Sequence, residues 1–210
     1  ESDLRTAAAL LPEKDGWEED GSAGAYNLPL STKHFNVFYH LGLSRYLQAD
    51  WAGALAAYAD MPAAMNDESV AATTHWTYMA LRRKGDAAAA NASLSRVHAG
   101  MRALDGGAYL NLTLLYKGER SEASVLPEHA SELDLATLGY GVGNWPHHNG
   151  RHDAALALWR RVVNTSYWAA FGYLAAEAEL HRLGHAEELR ARRCGSSSCG
   201  ALSHAPALAA

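Results

Sequence analysis

Arginine and histidine are the residues of this chain whose types and spacing are suited to chemistry. Arg82 and Arg83 are adjacent, and guanidinium groups hold carboxylate or phosphate in a bidentate geometry. His147, His148, His152, His181 and His185 recur near two successive turn signals. Neutral imidazoles suit zinc, copper or nickel, so their convergence at one corner would make a metal-binding or enzymatic centre. Against this, Asn149-Gly150 separates His148 from His152 and interrupts the helix that a pair of ligands four apart requires. The plainer role for these histidines is helix capping or polar surface, and no metal or cofactor is expected. Glu177 and Glu179 lie in the apolar run AAEAEL. Glu177 falls where two helices should approach closely, so it is expected to be buried and bonded to a neighbouring Tyr, Trp or His. No G-x-S-x-G, H-E-x-x-H or phosphate-cradling loop is present. GYGVGN at 139–144 runs into Trp-Pro and reads as a close-packing stretch. No catalytic residue is assigned.

The elements that must position these groups show in the turns. Ala49, Gly85, Gly118, Gly150 and Gly184 each end an apolar, helix-periodic run, in steps of 36, 33, 32 and 34 residues. Five residues after the first four stands an alanine: Ala54, Ala90, Ala123 and Ala155. Helical pairs are expected at 34–47 with 51–61, 69–83 with 87–100, and 105–117 with a weak second half where Pro127 breaks the helix. Two more follow at 132–147 with 152–164, and from about 166 with 185–193. Ser31 or Thr32 can cap the first of these.

A period near 34 with a small residue in the second helix resembles the tetratricopeptide repeat (TPR). FYHLGLSRYLQADWAGALAAY carries the resemblance most closely. STKHFNVFYHLGLSRYLQADW, VAATTHWTYMALRRKGD, YLNLTLLYKGE and TLGYGVGNWPHHNGRHDAALALWRRVV resemble a group of bacterial TPR proteins across most of residues 28 to 184. The resemblance implies an all-α, right-handed TPR-like solenoid of four to five antiparallel helical hairpins, and no activity. It also implies a further hairpin upstream. ESDLRTAAALL at the start, with Leu4, Ala7, Ala8 and Leu11 on one face, fits either the second half of that hairpin or a capping helix. The expected organisation is an N-terminal helix and loop at 1–33, the repeat domain at 34–193 and a tail at 194–210.

Bulk properties narrow the function classes. The 210 residues are 49% hydrophobic and 20% charged, which suits one folded domain. The formal net charge of −5 leaves no basic footprint for nucleic acid. No apolar run approaches the ~20 residues that span a bilayer. Cys194 and Cys199 cannot alone complete a tetrahedral zinc site. They form a local disulfide, which would indicate an oxidising compartment, or stay unpaired, so a cytoplasmic or an extracytoplasmic place stays open. The sequons at Asn91, Asn111 and Asn164 are a mild excess over chance, and Asn111 falls within an expected helix.

In a TPR array the first helices line a concave face. The implied groove positions include Leu47, Tyr39 and His40 in hairpin one, and His75, Trp76, Met79, Arg82 and Arg83 in hairpin two. Hairpin three adds Tyr109 and Tyr116, hairpin four Tyr140, Asn144 and His147, and hairpin five Leu174, Ala178 and His181. The implied lining holds Arg, His, Tyr and Trp but neither Asp nor Glu. The expected function is therefore a non-catalytic interaction module for a peptide or protein segment, acidic or with a free C-terminus, clamped by Arg82, Arg83 and Asn144. The same aromatics could instead be core between hairpins. In a third reading the loop at 12–33, with Trp17, Tyr26, Leu28 and the acidic Glu18-Glu19-Asp20, fills the groove in cis.

Overall fold

The turn signals do their work through backbone conformation. Gly85, Gly118, Gly150 and Gly184 have φ between 77° and 89°, and Ala49 adopts φ 63°. At all five sites the same pair of bonds closes the helix. The amide of the left-handed residue donates to the carbonyl three back, and the next amide donates to the carbonyl five back. For the first turn these are Ala49 N to Tyr46 O at 3.0 Å and Asp50 N to Arg45 O at 2.9 Å. This is the Schellman arrangement, which satisfies carbonyls that a helix end leaves open. Alanine in the left-handed region carries a steric cost that glycine avoids. Ala49→Gly is therefore expected to stabilise the protein by about 0.5–1 kcal/mol, net of the larger entropy glycine has when unfolded. A urea midpoint that stays put or falls would refute the cost.

A computed structural model describes residues 1–11, 31–61, 66–102, 107–187 and 189. Among them the chain is helical, with no β-strand. The helices are α1 (Ser2–Leu10), α2 (Lys33–Leu47), α3 (Trp51–Ala59), α4 (Asp67–Arg83), α5 (Ala87–Ser93), α6 (Ala108–Tyr116), α7 (Glu122–Val125), α8 (Glu132–His148), α9 (His152–Val162) and α10 (Phe171–Arg182). Side-chain caps start most of them: Thr32 accepts from Phe35 N, Asp50 from Gly53 N, Asn66 from Ser69 N, Asp86 from Ala89 N and Ser131 from Asp134 N. Pro127 stops α7 after one turn, as expected, whereas Pro146 is accommodated inside α8. α10 begins at Phe171, later than the expected 166, because residues 163–170 make turns. The second helix of the second hairpin is also short: α5 passes into a 3-10 turn at Leu94–Arg96 and ends. The loop at 12–30, residues 190–193 and the tail with Cys194 and Cys199 lie outside the described residues.

α2 packs on α3, α4 on α5, and α8 on α9, so the reversals at Ala49, Gly85 and Gly150 make hairpins. α2, α4, α6, α8 and α10 form an inner layer. Close approaches are met by glycine. A Cβ on Gly143 would come within 2.5 Å of the Trp159 indole nitrogen, and one on Gly172 would collide with the Ala136 carbonyl where α10 crosses α8.

The inner layer does not stay open. α10 contacts α2, so its first and last helices meet. Tyr39 packs edge-on against Phe171 at 6.4 Å, and Arg182 Nη1 donates to Leu47 O at 3.0 Å. Large side chains occupy the interior. Trp76 lies 5.1 Å from Tyr46 and 6.1 Å from Tyr140, and Tyr140 stacks on Trp159 at 5.9 Å. Tyr46 and Tyr140 share a hydroxyl–hydroxyl bond of 2.6 Å. Such aromatic pairs add about 0.5–1.5 kcal/mol each beyond the area they bury.

Candidate functional site

The C-terminal ends of the inner helices bring the polar side chains together. Arg83 leaves the last turn of α4 and reaches three partners: Nη1 lies 2.8 Å from Glu179 Oε1 and 3.0 Å from His147 Nε2, and Nη2 donates to Asn144 Oδ1 at 2.6 Å. Asn144 is held by its own donation to Tyr140 O at 3.0 Å. Arg182, one turn beyond Glu179 on α10, bonds Glu179 Oε2 at 2.5 Å and lies 5.3 Å from the Trp51 ring. Arg82 donates to His148 O at 3.0 Å and to the Tyr78 hydroxyl at 3.1 Å. α2, α4, α8 and α10 are thus tied by one charged network. Basic residues at helix C-termini are favoured there by the helix dipole.

Burial sets the protonation states. Burial alone opposes the charge on Arg83, but Tyr140, Tyr46 and Glu179 outweigh it and hold the guanidinium above its ordinary pKa. His147 is lowered to about 4 by burial and then by Arg83. His148 is lowered to about 3 by burial and then by Arg83 and Arg82. Both rings are neutral at pH 7. Because arginine only donates, His147 Nε2 must accept, which leaves its Nδ1 carrying the proton 3.3 Å from His152 Nδ1.

Two expectations are corrected here. The buried carboxylate is Glu179 and not Glu177: α10 packs against α2 and α8 and covers Glu179, whereas Glu177 borders a cleft and stays partly exposed. Consequently the arginines are not an unneutralised lining, since their counter-ion is within the chain. Second, seven of the sixteen expected groove residues named above are inside. Tyr39, His75, Trp76, Met79, Tyr116, Tyr140 and Asn144 are buried. Trp76 Nε1 donates to the Tyr39 hydroxyl at 2.9 Å, and the Tyr116 hydroxyl pairs with His75 Nδ1 at 3.1 Å. His40, Arg82, Arg83, Tyr109 and His147 are half-buried, and His181 is exposed. Core packing is the role these aromatics have. The alternative of a histidine centre meets this geometry: the five histidines do not all meet at one point. His147 and His152 are adjacent, but His185 Nδ1 meets Arg160 Nη2 at 3.3 Å and His181 borders the cleft. Among the described residues no three His, Cys, Asp or Glu side chains are placed to hold a metal ion.

Comparison with protein-family models, curated proteins and solved structures finds no match. The site is therefore defined by its own geometry. Between the C-terminal end of α2 and α10 lies a cleft of about 410 Å³, lined by Leu47, Leu174, Glu177, Ala178, His181, Ala186 and Leu189. Leu47, Leu174, Ala178 and His181 belong to the expected inner lining. Ala186 and Leu189, which follow α10, complete the described lining. No helix among the described residues is long and apolar enough to cross a membrane.

Proposed function

We propose that this protein is a TPR-like helical-hairpin interaction module, non-catalytic, that grips a peptide or protein segment in the α2/α10 cleft. The observation that carries this reading is the cleft itself. Four positions that the repeat register assigns to a ligand-binding inner face line it, and its wall is mostly aliphatic with Glu177 and His181 as polar groups. Repetition of one turn geometry at five sites supports a hairpin array, and arrays of this kind present inner faces as binding surfaces.

The partner that suits this cleft carries one or two aliphatic side chains as anchors and not a carboxylate. Arg83 and Arg182 are engaged by Glu179, and Arg82 by a main-chain carbonyl and a tyrosine. Buried apolar anchors supply most of the energy in such recognition. The test is selection of peptides from a displayed random library against the purified chain, followed by Ala178→Trp. The indole should fill the cleft and weaken the selected peptides by more than about tenfold, while the melting temperature holds. Undiminished affinity in that variant would sink the placement.

A further inference from the structure

The turn between α8 and α9 carries a pair of residues with a chemistry of their own. Of the eight asparagines in the chain, only Asn149 precedes a glycine. With no Cβ, Gly150 leaves its main-chain nitrogen free to approach the preceding side chain. Asn149 and Gly150 are both exposed, and a Cβ on Gly150 would meet no atom of the described residues within 4 Å. Water and base therefore reach the reacting atoms. The reaction needs neither enzyme nor cofactor. Solvent base takes the Gly150 amide proton, the nitrogen attacks Asn149 Cγ, and the Cγ–Nδ2 bond breaks to release ammonia. The succinimide ring so formed then adds water at either carbonyl. Addition at Cγ leaves aspartate. Addition at the main-chain carbonyl leaves isoaspartate, in which the chain runs through Cγ and is longer by one carbon.

In the folded turn these atoms are held apart. Asn149 ends α8 with φ −104° and ψ 19°, and ring closure requires the Gly150 nitrogen to swing about the Cα–C bond toward Cγ. The Gly150 amide donates to His147 O at 3.2 Å, which helps it keep its proton. Asn149 Nδ2 donates to Trp145 O at 2.8 Å, which draws the side chain back along α8. The turn must open before the ring can form. That opening is local, because exposed helix ends open at less cost than the whole fold.

We infer that Asn149 is a self-modification site, converted through a succinimide with Gly150 to isoaspartate, and that the product loosens the end of α8 from the charged network. The added carbon breaks the register of the Gly150 amide with His147 O and of the Arg151 amide with Pro146 O. Beside that break stands His148, whose carbonyl accepts from Arg82 at 3.0 Å. His147 and His152, with their Nδ1 atoms 3.3 Å apart, sit on the two sides of the same turn. The new carboxylate also lies at the negative end of the α8 dipole, where it is disfavoured. The site is separate from the α2/α10 cleft and independent of it.

The experiment ages the full chain in mildly alkaline buffer, once folded and once unfolded in urea, and maps its peptides over time for the amide-to-acid mass gain and for isoaspartate. In the folded chain Asn149 should convert before any other asparagine. Unfolding should speed that conversion more than about tenfold, since only the open turn reacts. Folded chain carrying isoaspartate should unfold at lower urea than fresh chain, whereas Asn149→Gln, aged alongside, should keep its midpoint. Conversion of another asparagine first, or of none, overturns the inference. So does an equal rate in folded and unfolded chain, or an unchanged urea midpoint once position 149 is isoaspartate.

Discussion

Replacing Glu179 by alanine is expected to cost about 3–5 kcal/mol of stability, the usual penalty for leaving a buried charge without its partner. Arg83 has only 10% of its side chain exposed, and Glu179 only 4%. Without the carboxylate, the Arg83 guanidinium keeps Asn144 and His147 but has no counter-charge, and Arg182 loses its bond on α10. Since domains are stable by about 5–15 kcal/mol, this is a large share of the total. The double variant Arg83→Met with Glu179→Leu is expected to recover most of the loss, because two apolar groups replace two charges that burial penalises. Urea unfolding of wild type, single and double variants measures both effects. A single variant within about 1 kcal/mol of wild type would mean that the pair is solvated in solution. Reversing the charges of Arg82 and Arg83 therefore reports first on folding, and only then on any partner.

Acid is expected to unfold the protein through its buried imidazoles. His75 is 1% exposed and lowered to about 3 by burial, against 6.5 when the chain is unfolded. Its depressed folded value means the unfolded chain takes up the proton first. The stability it permits is complete above about pH 6.5 and is lost as pH falls toward 3. At pH 5 this residue alone costs about 2 kcal/mol relative to pH 7.5. His148 and His147, lowered to about 3 and 4, act in the same direction and window but by less, being closer to solvent. Urea unfolding at intervals between pH 7.5 and 5 measures the slope. His75→Phe is expected to remove about 1.4 kcal/mol per pH unit from it below pH 6, whatever the variant does to stability at neutral pH. An unchanged slope would show that His75 reaches water when the protein is folded.

The local code was legible along the chain. Left-handed turn residues, side-chain caps and Pro127 act within a few residues of themselves, so the sequence by itself determined where the chain reverses, while the start of α10 at Phe171 and the early end of α5 at Ser93 escaped it. It also determined close packing at GYGVGN, where glycine is needed because Trp159 of the same hairpin lies against Gly143. What only the tertiary structure decided is which face of that array stays open. That depended on α10 reaching α2 across 135 residues of sequence, from Arg182 to the Leu47 carbonyl, and on indole and phenol rings filling the space between the inner helices. No periodicity distinguishes a tyrosine on an open concave wall from one against a neighbouring helix, because both sit at the same register. The same closure chose Glu179 over Glu177 as the buried acid. It converted an expected cationic surface into an internally neutralised one, because a guanidinium removed from water must find its counter-charge within the fold.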